Sequence, residues 1–302
     1  MNFRKLYSII ALTILVLSSQ AQEETSLLDM IEEESTSKEY VTATFKTTRA
    51  VNAHSIENTA KGVLDFKIQH RFGRLNGGFY ELFGLDQASV RMGLEYGISD
   101  RLMVGLARST FEKTFDGFLK YKIIRQSEGD KSMPISITWV SGSSINSLRL
   151  ANPNRENYFS SRVAYFHQVL IASKLTDNTS IQFMPTLVHR NLVETRAEAN
   201  SVIALGGAAR QKLTNRVAIN AEYFYALENQ LAPQNLQSFS IGLDIETGGH
   251  VFQLHVTNSL AMYERGFITQ TTGDWMKGDI HFGFNISRVF TLVKPKEFRN
   301  KK

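Results

Sequence analysis

The 302-residue sequence predicts an all-β fold: a closed antiparallel barrel of twelve strands joined as an up-and-down meander. Three observations carry this. Apolar residues recur at every second position over most of the chain, the period of a strand with one greasy face. The segments with this period are joined alternately by short and long connections, the pattern of a barrel whose two ends differ. No segment of helical period between them is long enough to cover a sheet, so the greasy faces need another cover.

In chain order, residues 1–21 are expected to be a signal peptide. Arg4 and Lys5 precede an apolar run from Leu6 to Leu17, and the small residues ending at Ala21 suit cleavage on export. The run is too short to span a bilayer well, so a retained anchor is disfavoured. Cleavage would remove two cations and no acids, leaving 32 cations against 29 anions, a net charge of +3. Residues 22–60 are read as an acidic leader and a lumen plug or extra strand. Within them, 22–39 hold seven acids and one lysine, the signature of a solvated run, while 40–60 are rich in threonine and carry Arg49 and His54. The barrel is expected over 61–290. Residues 291–302, with five cations and one acid, form a basic tail. The chain has no cysteine, which excludes disulfides, thiolate metal sites and a lipidated N-terminal cysteine.

Twelve strands are expected, at roughly 61–73, 87–97, 101–111, 115–125, 134–142, 161–172, 180–190, 201–213, 216–227, 237–247, 250–259 and 277–290. In the first, Leu64, Phe66, Ile68 and Phe72 oppose Asp65, Lys67, Gln69 and Arg71. Near the end, Ile280, Phe282, Phe284 and Ile286 oppose Asp279, His281, Gly283, Asn285 and Ser287. Connections 98–100, 126–133, 173–179, 214–216 and 248–249 are short; 74–86, 143–160, 191–200, 228–236 and 260–276 are long, with 112–114 the exception. The turns predict registers. A two-residue turn at Gly248-Gly249 sets Ile245 opposite Phe252, Leu243 opposite Leu254 and Asp244 opposite Gln253. "TNR" at 214–216 sets Leu213 opposite Val217, Gly207 opposite Tyr223 and Leu205 opposite Tyr225, with a ring over bare glycine backbone. "ISD" at 98–100, read as a three-residue loop, sets Tyr96 opposite Leu102, Leu94 opposite Val104 and Met92 opposite Leu106.

Alternation alone fits a soluble sandwich or lipocalin-like barrel as well, with the greasy face inward. Three features place that face against lipid instead. The chain is read as exported yet lacks the disulfides that often reinforce secreted β-domains. Aromatic residues stand near strand ends on the apolar face: Phe72, Tyr96, Phe115, Trp139, Tyr225, Phe239 and Phe290. The polar face carries both charge signs, including Asp65, Lys67, Arg71, Arg91, Glu95, Lys120, Lys122, Arg210, Lys212, Glu222, Asp244 and Asp279. A cation facing lipid at mid-depth costs about 2–4 kcal/mol, so this set belongs in a lumen. The fold class is therefore a transmembrane barrel. His167 is the misfit: its parity sends it outward, near the middle of a strand, with Tyr165, Val169 and Ile171.

Residues 70–126, with the pieces "HRFG", "YELFGLD", "SDRLMVG" and "FEKTFDG", resemble the membrane-bound β-barrel domain family of Gram-negative bacteria, whose function is uncharacterised. The upstream stretch 42–66 is similar to it as well, and the match extends through most of the mature chain. The resemblance implies an outer-membrane barrel and supplies no active residues. The last strand, "HFGFNISRVF", is similar to the C-terminal signal read by the barrel assembly machinery. Arg288 breaks its apolar alternation, and twelve residues follow Phe290.

The chemistry-bearing residues form no complete constellation. His255 and His281 share the polar face of adjacent strands with Asp279, but Ser287 lies too far along to complete a Ser-His-acid triad. Asp244 and Glu246 on one face suit a cation or a lysine across the lumen. No phosphate loop, HExxH or EF-hand loop is present. No catalytic, cofactor-binding or metal residue is assigned, and no cofactor is expected. Two function classes follow. The first is a narrow or plugged channel, or a scaffold whose long loops bind a protein partner. The alternative is an outer-membrane hydrolase acting on lipid or peptide. The expected partners are the outer-membrane lipid bilayer and, during biogenesis, the assembly machinery. Nucleic acid is not expected, because the basic tail belongs to an exported chain.

Overall fold

The computed structural model describes residues 38–293 apart from 130, 150–153, 155 and 249. The expected signal peptide, most of the acidic leader and the end of the basic tail lie outside the described residues.

Twelve antiparallel strands close into one barrel: β1 Val63–Arg74, β2 Ala88–Gly97, β3 Leu102–Ser109, β4 Phe115–Ile124, β5 Ser136–Ile145, β6 Val163–Lys174, β7 Thr179–Arg190, β8 Ser201–Lys212, β9 Val217–Ala226, β10 Ser238–Thr247, β11 His250–Thr257 and β12 His281–Thr291. Each pairs with the next in sequence, and β12 pairs with β1 to leave no edge. Both ends of the barrel sequence lie at the end with the short turns. Burial follows the alternation. On β1, Asp65, Lys67, Gln69 and Arg71 are buried inward, while Leu94 and Leu106 on β2 and β3, Ile181 on β7 and Leu254 on β11 are exposed outward. An exposed apolar exterior around a buried charged interior is the inverse of a soluble barrel.

His167 does face outward, and the alternation of β6 through Tyr165 and Ile171 is unbroken. Its ring stacks on Trp139, 6.2 Å between centroids and nearly parallel. His70 is a second outward histidine, stacked on Phe284 at 4.9 Å. Each ring has a parallel aromatic neighbour. Asp279 departs from expectation: it precedes β12, in the loop, where its carboxylate accepts from Asn76 at 2.6 Å and pairs with Arg74 at 3.2 Å.

The turn registers divide. The ladders predicted from Gly248-Gly249 and from "TNR" are the observed ones. That predicted from "ISD" is displaced: Tyr96 faces Val104 and Leu94 faces Leu106. The loop there is Ser99–Arg101, and Ile98 already pairs with Leu102, its N–H donating to the Leu102 carbonyl at 2.9 Å. The same turn occurs at three places among the described residues. The hydroxyls of Ser99, Thr176 and Thr214 each accept from the N–H three residues on, that of Leu102, Thr179 and Val217, at 3.0 Å. Each thereby satisfies a donor that the tight turn leaves without a ladder partner.

Glycine and aromatic residues also meet across strands, but on the inner face. Gly105, Gly142 and Gly206 lie opposite Phe118, Phe166 and Phe224, and a Cβ at these glycines would come within 2.4, 2.4 and 2.5 Å of the rings. The outward pair is in register as expected, yet Tyr223 leans away and Gly207 has open space around it.

Candidate functional site

The lumen is filled by two segments of the chain itself. The first follows a two-residue ribbon at the short-turn end, where Glu39–Tyr40 pairs with Ser127–Glu128. The chain then turns up into the barrel as a narrow hairpin. Its arms meet at Arg49 and His54, and the Ala50 N–H closes the tip on the Ala53 carbonyl at 2.9 Å. From Val51 to Ser55 nothing is exposed (0 %). The returning arm leaves directly over Gly97, where a Cβ would come 2.1 Å from the Ala60 carbonyl oxygen. Only glycine leaves room for that exit.

The tip is held by a single carboxylate. The N–H groups of Val51, Asn52 and Ala53 all donate to Glu222 on β9, at 3.0, 2.8 and 3.1 Å. Three successive amides converging on an anion form a concave nest. Around it, Asn52 accepts from Arg71 at 2.5 Å and donates to Ser240 at 2.9 Å, and Gln253 donates to the Ala50 carbonyl at 2.6 Å. The lower part is held by Lys120, which donates to the carbonyl oxygens of Thr48 (3.5 Å) and Glu57.

The second segment descends from the long connection between β11 and β12. It carries a short helix, α1 Glu264–Thr269, with Phe267 and Ile268 buried and Phe267 edge-on to Phe224 at 5.2 Å. Glu112, between β3 and β4, ties it down by accepting from Gln270 at 2.9 Å and pairing with Arg265 at 3.1 Å. The two segments meet inside the barrel. Glu264 pairs with Arg49 at 2.6 Å, and its carboxylate lies 3.4 Å from His54. Burial is the larger influence on both members of the second contact. It pushes Glu264 up although Arg49 opposes it. Burial, then Arg49 and Lys120, hold His54 well below the ordinary imidazole value. The imidazole is thus neutral, wedged edge-on to Phe118 at 4.3 Å and stacked over Phe166 at 6.2 Å.

The residues weighed for catalysis are dispersed. The Ser287 hydroxyl donates to Asp65 at 2.6 Å, His281 Nδ1 contacts the Phe72 carbonyl at 2.9 Å, and His255 Nε2 accepts from Arg71 at 3.0 Å. Asp244 accepts from Gln253 at 2.6 Å, and Glu246 pairs with Lys46 of the hairpin arm at 2.7 Å. Arg49 and His54 stand out in the sequence. Their partner Glu264 does not, because a six-residue helix inside a long connection leaves no periodic trace.

The chain is similar in fold to solved barrels at low identity. The KdgM porin gives a TM-score of 0.46 with 9% identity over 76% of this chain and 99% of that one. The NanC porin gives 0.45 with 9% identity over 75% and 98%. The COG4313 outer membrane channel from Pseudomonas putida F1 gives 0.45 with 11% identity over 78% and 97%. No curated protein matches the chain. A family model does: residues 45–290, from the buried hairpin to the penultimate residue of β12, match the Membrane bound beta barrel domain (DUF5777), and the chain belongs to that family.

Proposed function

We propose that the protein is an outer-membrane channel that its own hairpin, residues 44–59, keeps closed. The observation that carries this is the nest of three amides on Glu222. A segment placed only to fill space needs apolar contacts, whereas this one is fastened to the wall at its tip by a charged acceptor. In this reading the signal peptide directs export, the short turns face the periplasm, and the barrel assembly machinery inserts the chain. Hydrogen bonds to a charged group are worth about 1.5–3 kcal/mol each, so weakening this set shifts the docked population measurably. The experiment is planar-bilayer conductance of the full chain. The wild type should be nearly silent, and the double variant Glu222→Gln, Glu264→Gln should show frequent openings. Equal, steady conductance in both would overturn the plug. Silence in both would favour a scaffold.

The scaffold reading has one observation of its own. At the long-loop end Phe79 and Tyr80 are 81% and 95% exposed, and Met276, on the connection that Asn76 bonds through the Lys277 carbonyl, is 95% exposed. Such a crest suits a protein partner better than open water. Replacing Phe79 and Tyr80 by serine should leave channel behaviour unchanged if the crest serves only binding.

A further inference from the structure

We propose that the solute this channel admits is a small organic anion with an apolar body, its carboxylate taken by Lys120 and its body by the wall around Phe118 and Phe166; this rests on the channel reading above.

The inner surface is two-sided. From β3 to β8 the inward residues are largely apolar, among them Met103, Phe118, Val140, Phe166, Leu170 and Met184, all buried. Charged inward residues are denser on the other side, as Asp65, Lys67, Arg71, Arg91, Glu95 and Asp244, while Asp116, Lys122, Arg190 and Arg210 stand among the apolar ones. Opposite charges meet along the inner surface: Lys67 pairs with Asp65 at 2.7 Å, and Arg91 reaches Asp116 on β4 at 2.5 Å. Those pairs stay with the wall whatever the hairpin does.

Lys120 is placed differently. It stands on β4 directly opposite Met103 on one neighbouring strand and Val140 on the other, with Phe118 and Lys122 the next inward residues along its own strand. It is fully buried and forms no salt bridge among the described residues. Its acceptors are the Thr48 and Glu57 carbonyl oxygens, and both belong to the hairpin. When the hairpin leaves, Lys120 loses both of its hydrogen-bond acceptors and Lys122 loses its pairing with Glu57 at 3.8 Å, so two cations on β4 are freed together, with Glu95 the barrel carboxylate whose charge reaches Lys120. A buried charge in that position needs a counter-charge.

The docked hairpin shows the shape of what replaces it. It offers oxygen atoms to Lys120, and it places the neutral His54 ring against Phe118 and Phe166. A flat apolar group joined to a carboxylate supplies both features in one small molecule. A polar neutral solute satisfies neither the rings nor the cation, and an organic cation meets Lys120 with its own sign.

The test uses the full-length Glu222→Gln, Glu264→Gln protein in planar bilayers, with phenylacetate, phenylethylammonium and acetate as probes. Phenylacetate should permeate roughly tenfold faster than phenylethylammonium, at the lower end of what charge focusing in a cleft produces. It should also interrupt the current at concentrations where acetate does not. Adding Lys120→Met should remove both effects, and Lys120→Arg should restore them. Heat-modifiable migration reports whether each variant folds. If Lys120→Met does not fold, the comparison of the three probes on the parent variant decides alone. Openings that pass phenylacetate and phenylethylammonium equally overturn this inference and leave the channel standing. Absence of openings overturns both.

Discussion

His54 has no hydrogen bond to either ring nitrogen among the described residues, although Glu264 is near. It lies against the Phe118 and Phe166 rings, and its burial, then the cations Arg49, Lys120, Arg91 and Lys67, disfavour a protonated imidazole. The docked hairpin therefore holds His54 neutral, while a released one exposes it to water at its ordinary value near 6.5. A depressed value in the docked state means that docking is at full strength above 6.5 and weakens as pH falls, since the released form takes up a proton the docked form refuses. On the proposed channel reading, openings in the wild type should accordingly become more frequent between pH 7 and 5.5. His54→Phe should abolish that increase. Bilayer recordings across this range check both. The position of His54 inside the barrel was readable from the sequence only as membership of a threonine-rich stretch before the first strand. Its partners lie far along the chain, and no local pattern announces them.

Hydroxyl-capped turns make a prediction at the scale of the hairpin. Ser99, Thr176 and Thr214 each accept from the N–H three residues ahead in otherwise unrelated sequences spelled SDR, TDN and TNR. Replacing any one by alanine or valine should cost about 0.5–1.5 kcal/mol, the net worth of one hydrogen bond. Urea unfolding in detergent micelles should show this as a lower midpoint with an unchanged slope. A loss confined to one of the three would mean that the turns do not act alike. The same motif explains which registers could be read in advance. At "TNR" the hydroxyl residue is the first of the three-residue loop, and the expected ladder is the observed one. A loop "ISD" starts one residue early, on Ile98, and displaces every pair along β2 and β3 by two. An even displacement keeps the faces intact, which is why the inward and outward assignments survived the error. Helix α1 had no such signal. Six residues form too little helix to stand alone, and it exists because Phe267 packs on Phe224 and Glu112 holds its flanks.

Closure of the whole ring can be tested without any channel activity. Each barrel strand has a partner on both sides, so unfolding one exposes backbone groups that lipid cannot satisfy. The folded protein should resist detergent until boiled and should run faster on a gel before boiling than after. Its two faces can then be told apart by substitution. Leu243 stands outward on β10, between Ile219 on β9 and Leu254 on β11. An arginine there, if it lies near the midplane, faces hydrocarbon at a cost of about 2–4 kcal/mol. Leu243→Arg should therefore reduce the fast-migrating form sharply. Arg210 on β8 points inward, cross-strand from Asn220 and Ser180, and Arg210→Leu puts an apolar group where lipid is not met. That variant should assemble to nearly normal levels, with any effect confined to the lumen. The contrast matters more than either result, because a generally fragile barrel would lose both. Normal assembly of Leu243→Arg together with failure of Arg210→Leu would reverse the faces, and the charged interior would then have to be an exterior in contact with water.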